Sequence, residues 1–137
     1  MTDRFRTLRL PTEPTVQAPD GSDVRVLLGL SGGGMAHFEL PAGRTSLPVR
    51  HRTVEEIWFV VGGTGQMWRR RGDQEEIVEL SVGVCLTIPR GTTFQFRADD
   101  TGALSAVAVT MPPWPGPDEA IPESGRWTAT GLSEPGR

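Results

Sequence analysis

Residues 43–63 read GRTSLPVRHRTVEEIWFVVGG, and residues 83–98 read GVCLTIPRGTTFQFRA. Gly43 and Gly63 frame the first stretch, and Gly83, Pro89 and Gly91 punctuate the second, where they permit the tight turns and close approaches that aim strands. Side chains two apart on a strand share a face. Val49 therefore points with His51, Glu56 with Trp58 and Val60, and Phe94 with Phe96 and Ala98. If Glu56 turns inward Trp58 follows it, and if Phe94 does so Phe96 lies deeper beside it. Three strands then converge on one cavity, aromatic with a few polar groups, which is the setting a small organic ligand needs.

Outward from these stretches the same texture continues. Short β-prone runs recur at Val24 to Leu30, Met35 to Leu40, Glu55 to Val61, Gln66 to Arg71, Glu75 to Leu80, Val84 to Ile88, Thr93 to Arg97 and Leu104 to Met111. Turn signals separate them, such as Ser31-Gly32-Gly33-Gly34, Gly72-Asp73 and Asp99-Asp100-Thr101-Gly102, so hairpin connectivity is expected. The 17 glycines and 12 prolines are spread along the chain, and no long amphipathic helix interrupts them. At 14.9 kDa the chain suits one all-β domain. Residues 1–23 read as an extended N-terminal arm, 24–111 as the barrel and 112–137 as a Pro-rich tail. The Pro112-Pro113-Trp114-Pro115-Gly116-Pro117 run lacks the donors of a central strand and is expected to wrap the outside.

Charge and composition exclude several classes. A net charge of -3 and a pI near 5.4 give no basic field for nucleic acid. No apolar run approaches the roughly 18 residues that span a bilayer, so no membrane is expected. All the basic side chains are arginine, which removes Schiff-base chemistry through a lysine. Cys85 is alone and is expected to be a small buried hydrophobe; with no disulfide and no apolar leader at the start, a cytoplasmic setting is the expectation.

The ordered pair of motifs resembles the signature of the cupin superfamily. Its first motif is glycine, two histidines, glutamate and glycine, and its second is glycine, proline, glycine, histidine and asparagine. Gly43, His51, Glu56 and Gly63 match the first, and Gly83, Pro89 and Gly91 the second. Val49 stands for the first histidine, Phe94 for the histidine of the second motif and Ala98 for the asparagine. Placing His51 as the first histidine leaves Thr53 for the second and shifts the glycine and glutamate out of register, so the gapless alignment is preferred. The resemblance covers about residues 34–111, and the stretch from His51 through Trp68, with the Pro112-Pro113-Trp114 tail, also looks like small single-domain bacterial cupins. It implies a jelly-roll barrel, the double-stranded β-helix, and a homodimer paired sheet to sheet, with the arm across a partner's barrel.

The family's usual metal is where this chain departs. Three or four protein ligands are the norm, commonly imidazoles with a carboxylate. Here the motif seats keep only His51 and Glu56, and the chain has 2 histidines in all. His37 is the one further imidazole, on the face of Met35 and Glu39 with Ala36, Phe38 and Leu40 opposite; its direction is open. The reading favours no metal and no cofactor; a divalent transition metal, if held, takes His51, Glu56 and His37. An inward Glu56 among Ile57 to Val61 needs a partner or a raised pKa, and His51 or an arginine is the candidate. Trp58, Met67, Phe94 and Phe96 join His51 and Glu56 as candidate ligand contacts, and serve equally well as core. Arg69, Arg70 and Arg71 face Glu75 and Glu76 across a turn as cross-strand ion pairs.

Two functions follow. One is a small-molecule-binding protein with an aromatic barrel pocket and a reduced metal site. The other is an isomerase, cyclase or epimerase in which His51 and Glu56 act as acid and base. The fold alone does not choose between them.

Overall fold

The structure is a computed structural model that describes residues 4–18 and 20–130; residues 1–3, Pro19 and 131–137, at the ends of the arm and the tail, lie outside it. Eleven strands run in chain order among the described residues: β1 Val16–Gln17, β2 Asp23–Leu30, β3 Gly33–Leu40, β4 Val49–His51, β5 Glu55–Gly62, β6 Gly65–Arg71, β7 Gln74–Leu80, β8 Cys85–Ile88, β9 Thr93–Ala98, β10 Leu104–Met111 and β11 Ala120–Pro122. They form two antiparallel sheets, ordered β1-β2-β3-β10-β5-β8 and β11-β4-β9-β6-β7. This is the expected jelly roll. The eight β-prone runs each become a strand, with ends shifted by a residue or so.

Alternation builds the core. In β5, Glu56, Trp58 and Val60 are buried while Ile57, Phe59 and Val61 are exposed, and β10 alternates in phase with it. The inward set meets Leu40, Met67, Leu80, Leu86, Ile88, Phe94, Phe96 and Leu104 from the other strands in one cluster. Each such large side chain contributes about 1.5–3 kcal/mol on leaving water. The motif glycines close the turns. At Gly63 φ is +77°, and an added Cβ would meet the Ala103 carbonyl oxygen at 2.1 Å, so no other residue fits that approach of the β5–β6 turn to β10.

The strand β9 differs from its neighbours because Thr93, Phe94, Gln95 and Phe96 are all buried. One face looks into the barrel. The other is covered by the C-terminal segment, where Gln95 donates to the carbonyls of Ser46 and Trp127 and accepts from the amides of Arg126 and Trp127. The Arg97 guanidinium lies 4.1 Å from the centre of the Trp127 ring.

One expectation is extended and one corrected. The Pro112 to Pro117 run stays at the surface as expected, but Pro113, Trp114, Gly116 and Pro117 also form part of the cavity wall, and beyond them β11 pairs with β4 at the sheet edge. Cys85 is exposed, because Leu86 and Ile88 take the inward positions of β8. The inner part of the arm pairs with its own barrel, Val16 opposite Val24 and Gln17 opposite Asp23. Of the ion pairs expected across the β6–β7 hairpin, Arg69 is opposite and bonded to Glu76; Arg70, opposite Glu75, lies over the Trp68 ring instead, and Arg71 is opposite Gln74.

Candidate functional site

A cavity of about 580 Å³ opens between the sheets. Short β4 supplies Val49 and His51, β5 supplies Glu56 and Trp58, and β9 supplies Phe94. The three strands therefore converge as their spacing implies.

His51 and Glu56 are its polar centre. The imidazole Nδ1 lies 3.4 Å from Glu56 Oε2, off the line of a hydrogen bond, and makes no other bond within the described residues. Glu56 Oε1 accepts a 2.6 Å hydrogen bond from Trp58 Nε1, one strand repeat away on the same face. Both groups are more than nine-tenths buried. Burial therefore dominates their protonation. It pushes Glu56 up to about 7, with the Trp58 bond opposing and the charges of Asp20 and Glu119 adding to the rise. It pushes His51 down to about 4 against the pull of Glu119. Between those values both groups are uncharged and the pair keeps the acid's proton. With Nδ1 turned to the carboxyl, the other ring nitrogen is the one left to address a ligand.

Aromatic rings hold the imidazole in place. Phe94 and Trp114 meet it edge to face from ring centres 5.1 and 5.0 Å away. Trp58 is in turn flanked by Phe38 at 5.3 Å and Phe96 at 5.0 Å. A carboxylate from the tail fixes the turn between β4 and β5: Glu119 accepts from the amides of Thr53 (2.5 Å) and Val54 (2.8 Å) and from the Thr53 hydroxyl (2.7 Å). Burial raises its pKa, but these bonds outweigh it and hold Glu119 below its usual value. Asp20 also lines the cavity, with one oxygen bonded to the Ser22 amide and hydroxyl at 3.0 and 2.7 Å. Its own burial raises its pKa.

Some sequence candidates fall elsewhere. His37 faces away from the cavity, because Phe38 and Leu40 take the inward seats of β3. It sits in the outer row between Arg25 and Val107, where burial first and the Arg25 charge second lower its pKa. It cannot join His51 and Glu56. Met67 and Phe96 are buried but do not line the cavity; they pair across β6 and β9, and the Phe96 ring packs against Trp58. Trp58 and Phe94 do line it. Sequence reasoning missed Trp114, Asp20, Phe38, Thr110 and Glu119 as parts of the site. Only Trp114, a bulky ring stranded among prolines, carried a visible signal.

The cupin domain family matches residues 36–110, more than half of the chain. This chain belongs to the cupin family. Solved structures agree on the fold. BH2720 from Bacillus halodurans is 18% identical with a TM-score of 0.61, over 68% of this chain and 72% of its own. KdgF from Halomonas sp. is 16% identical with a TM-score of 0.59, over 66% and 78%. A predicted oxalate decarboxylase from Thermotoga maritima is 18% identical with a TM-score of 0.57, over 66% and 79%. The curated proteins gave no match.

The metal that the fold family implies does not fit this cupin's side chains. Among the described residues no group of three or more His, Cys, Asp or Glu could hold an ion. Val49 and Phe94 fill two of the three substituted motif seats at the cavity with carbon, and one oxygen of Glu56 already takes an indole N–H. Among the same residues no helix is long and apolar enough to cross a membrane.

Proposed function

We propose that this cupin binds a small organic molecule inside its barrel, gripping an apolar or aromatic body between Phe38, Trp58, Phe94 and Trp114 and addressing its polar end with the His51–Glu56 pair. The observation that carries the reading is the buried, unbonded Nδ1 of His51, 3.4 Å from a carboxyl, on the wall of a cavity of about 580 Å³. Rings give broad contact at low entropic cost, and the polar pair gives orientation. The test is a thermal-shift and tryptophan-fluorescence screen of monocyclic and bicyclic compounds against the protein and His51→Ala. Binders that lose about tenfold in affinity in the variant, the size of one lost hydrogen bond, support the site. Binders indifferent to His51→Ala, or a screen in which nothing binds, count against it. Chelation should leave binding unchanged; dependence on added divalent metal would contradict the donor set.

An acid–base enzyme is the second reading, favoured by one specific observation: the carboxyl is raised to about 7, where it gives and takes a proton readily. His51→Ala separates the two. A binder loses affinity, whereas an enzyme loses turnover with affinity largely kept.

The outer face of the six-stranded sheet also supports a homodimer. Ile57, Phe59 and Val61 are exposed by 42%, 45% and 41% on that face, with Val107 beside them, an apolar stripe that a second copy of the chain would cover.

A further inference from the structure

The charges around the cavity are one-sided. Glu56 and Asp20 both line it, Glu119 is close enough to act on both His51 and Glu56, no arginine contributes to the wall and the chain has no lysine. The remainder is aromatic and aliphatic: Phe38, Trp58, Phe94 and Trp114 close round the carboxyl pair with Val24 and Ala36. An anionic ligand would meet two carboxyls and no fixed cation in a medium of low dielectric, which is costly on both counts. A cationic ligand would meet counter-charges and the negative faces of several rings. His51 turns its buried Nδ1 to Glu56, 3.4 Å from Oε2, so the imidazole is paired with that carboxyl and adds no fixed positive charge to the wall.

We propose that the cavity selects a small organic cation, an amine or ammonium group carried on an apolar body, with Glu56 and Asp20 as its counter-charges and aromatic faces around it. This rests on the small-molecule reading above and narrows it to a ligand class. The groups that face Glu56 are His51 from β4, Asp20 from the segment before β2 and Glu119 from the tail; its paired neighbours on β10 and β8, Thr110 and Ile88, carry no charge. Loading a cation therefore favours the ionised form of Glu56 and expels its proton. Affinity for the cation should rise with pH through about 7, the pKa of Glu56.

The experiment uses three probes with one ring body, naphthylmethylamine, naphthylmethanol and naphthoate, titrated into the full chain by calorimetry at pH 6 and pH 8. The amine is expected to bind most tightly, to gain about tenfold from pH 6 to pH 8, and, in buffers of different ionisation heat, to release close to one proton at pH 6 and almost none at pH 8. Glu56→Gln should abolish that pH dependence, and Asp20→Asn, which keeps the Ser22 bonds, should weaken the amine while sparing the alcohol. Equal or tighter binding of naphthoate, or an amine affinity that ignores both substitutions, overturns the proposal. If alcohol and amine bind alike, the ligand class fails while the pocket stands; if none binds at millimolar concentration, the small-molecule reading fails with it.

Discussion

The indole of Trp114 meets the imidazole of His51 edge to face with ring centres 5.0 Å apart, joining the Pro-rich tail to the heart of the barrel. Trp114 is 39% exposed, so its outer side is in water while its inner side closes the cavity. Trp114→Ala should weaken binding of any cavity ligand by about tenfold, the worth of one aromatic contact, while lowering stability by no more than about 1 kcal/mol. Ligand titration followed by the fluorescence of the remaining tryptophans reads the first, and urea unfolding the second. Unchanged affinity would place the ligand away from the tail.

Glu56 has a pKa raised to about 7 from an ordinary 4.5. A carboxyl that holds its proton more tightly when folded contributes stability that is whole below about pH 4.5 and lost as pH rises through 7. Glu56→Gln keeps an oxygen for the Trp58 indole and cannot ionise. Its stability relative to the parent should therefore grow between pH 4.5 and pH 7 and level off above, at a gain on the order of 3 kcal/mol. His51 has the opposite sign: its pKa is lowered from 6.5 to about 4, so its contribution is present above 6.5 and lost as pH falls through 4. Urea unfolding at pH 5 and pH 8 checks the variant; an equal difference from the parent at both values would refute the buried carboxyl.

Glu119 binds the turn that carries both His51 and Glu56, with three hydrogen bonds from Thr53 and Val54. Glu119→Ala leaves the buried Val54 amide unpaired and the Thr53 amide to water, and should cost about 1–3 kcal/mol. Because the residue positions the site without forming its wall, Glu119→Gln, which keeps an accepting oxygen, should recover part of that stability. A melting temperature unchanged by Glu119→Ala would show the tail to be unlatched.

Phe59 lies in the exposed apolar stripe of the outer sheet face, opposite Val107 and Cys85. If two chains pair there, Phe59→Asp should turn a dimer into a monomer with the fold intact. Sedimentation at micromolar concentration is the check. A parent chain that already sediments as a monomer would remove the pairing.

Much of the fold could be read from the residues. The glycine frames and the alternation of β5 and β10 are local signals, and they place Glu56 and Trp58 on one face without any knowledge of the partner strands; which way that face turns is set by the core. What escaped was set by distant contacts. β1 and β11 are too short to show a period, and β4 shows only Val49 and His51 two apart. The direction of His37 depends on whether Phe38 or its neighbours find the core. Met67 and Phe96 share the inward face with true cavity residues, and only their depth separates them. The burial of Gln95 is imposed by Arg126 and Trp127, far along the chain. Trp114, too, reaches His51 only because β11 docks on β4 and returns the tail to the barrel.

The protonation of His51 and Glu56 tests the account most directly, and nuclear magnetic resonance of labelled protein reads it, with His37→Gln to assign the two imidazoles. The expected result is a His51 ring that stays neutral from pH 8 down to about pH 5 and a Glu56 carboxyl that titrates near 7. An imidazole that charges near 6.5 beside a carboxyl that ionises near 4.5 would mean both are bathed in water, and would contradict the buried pair on which the proposed site depends.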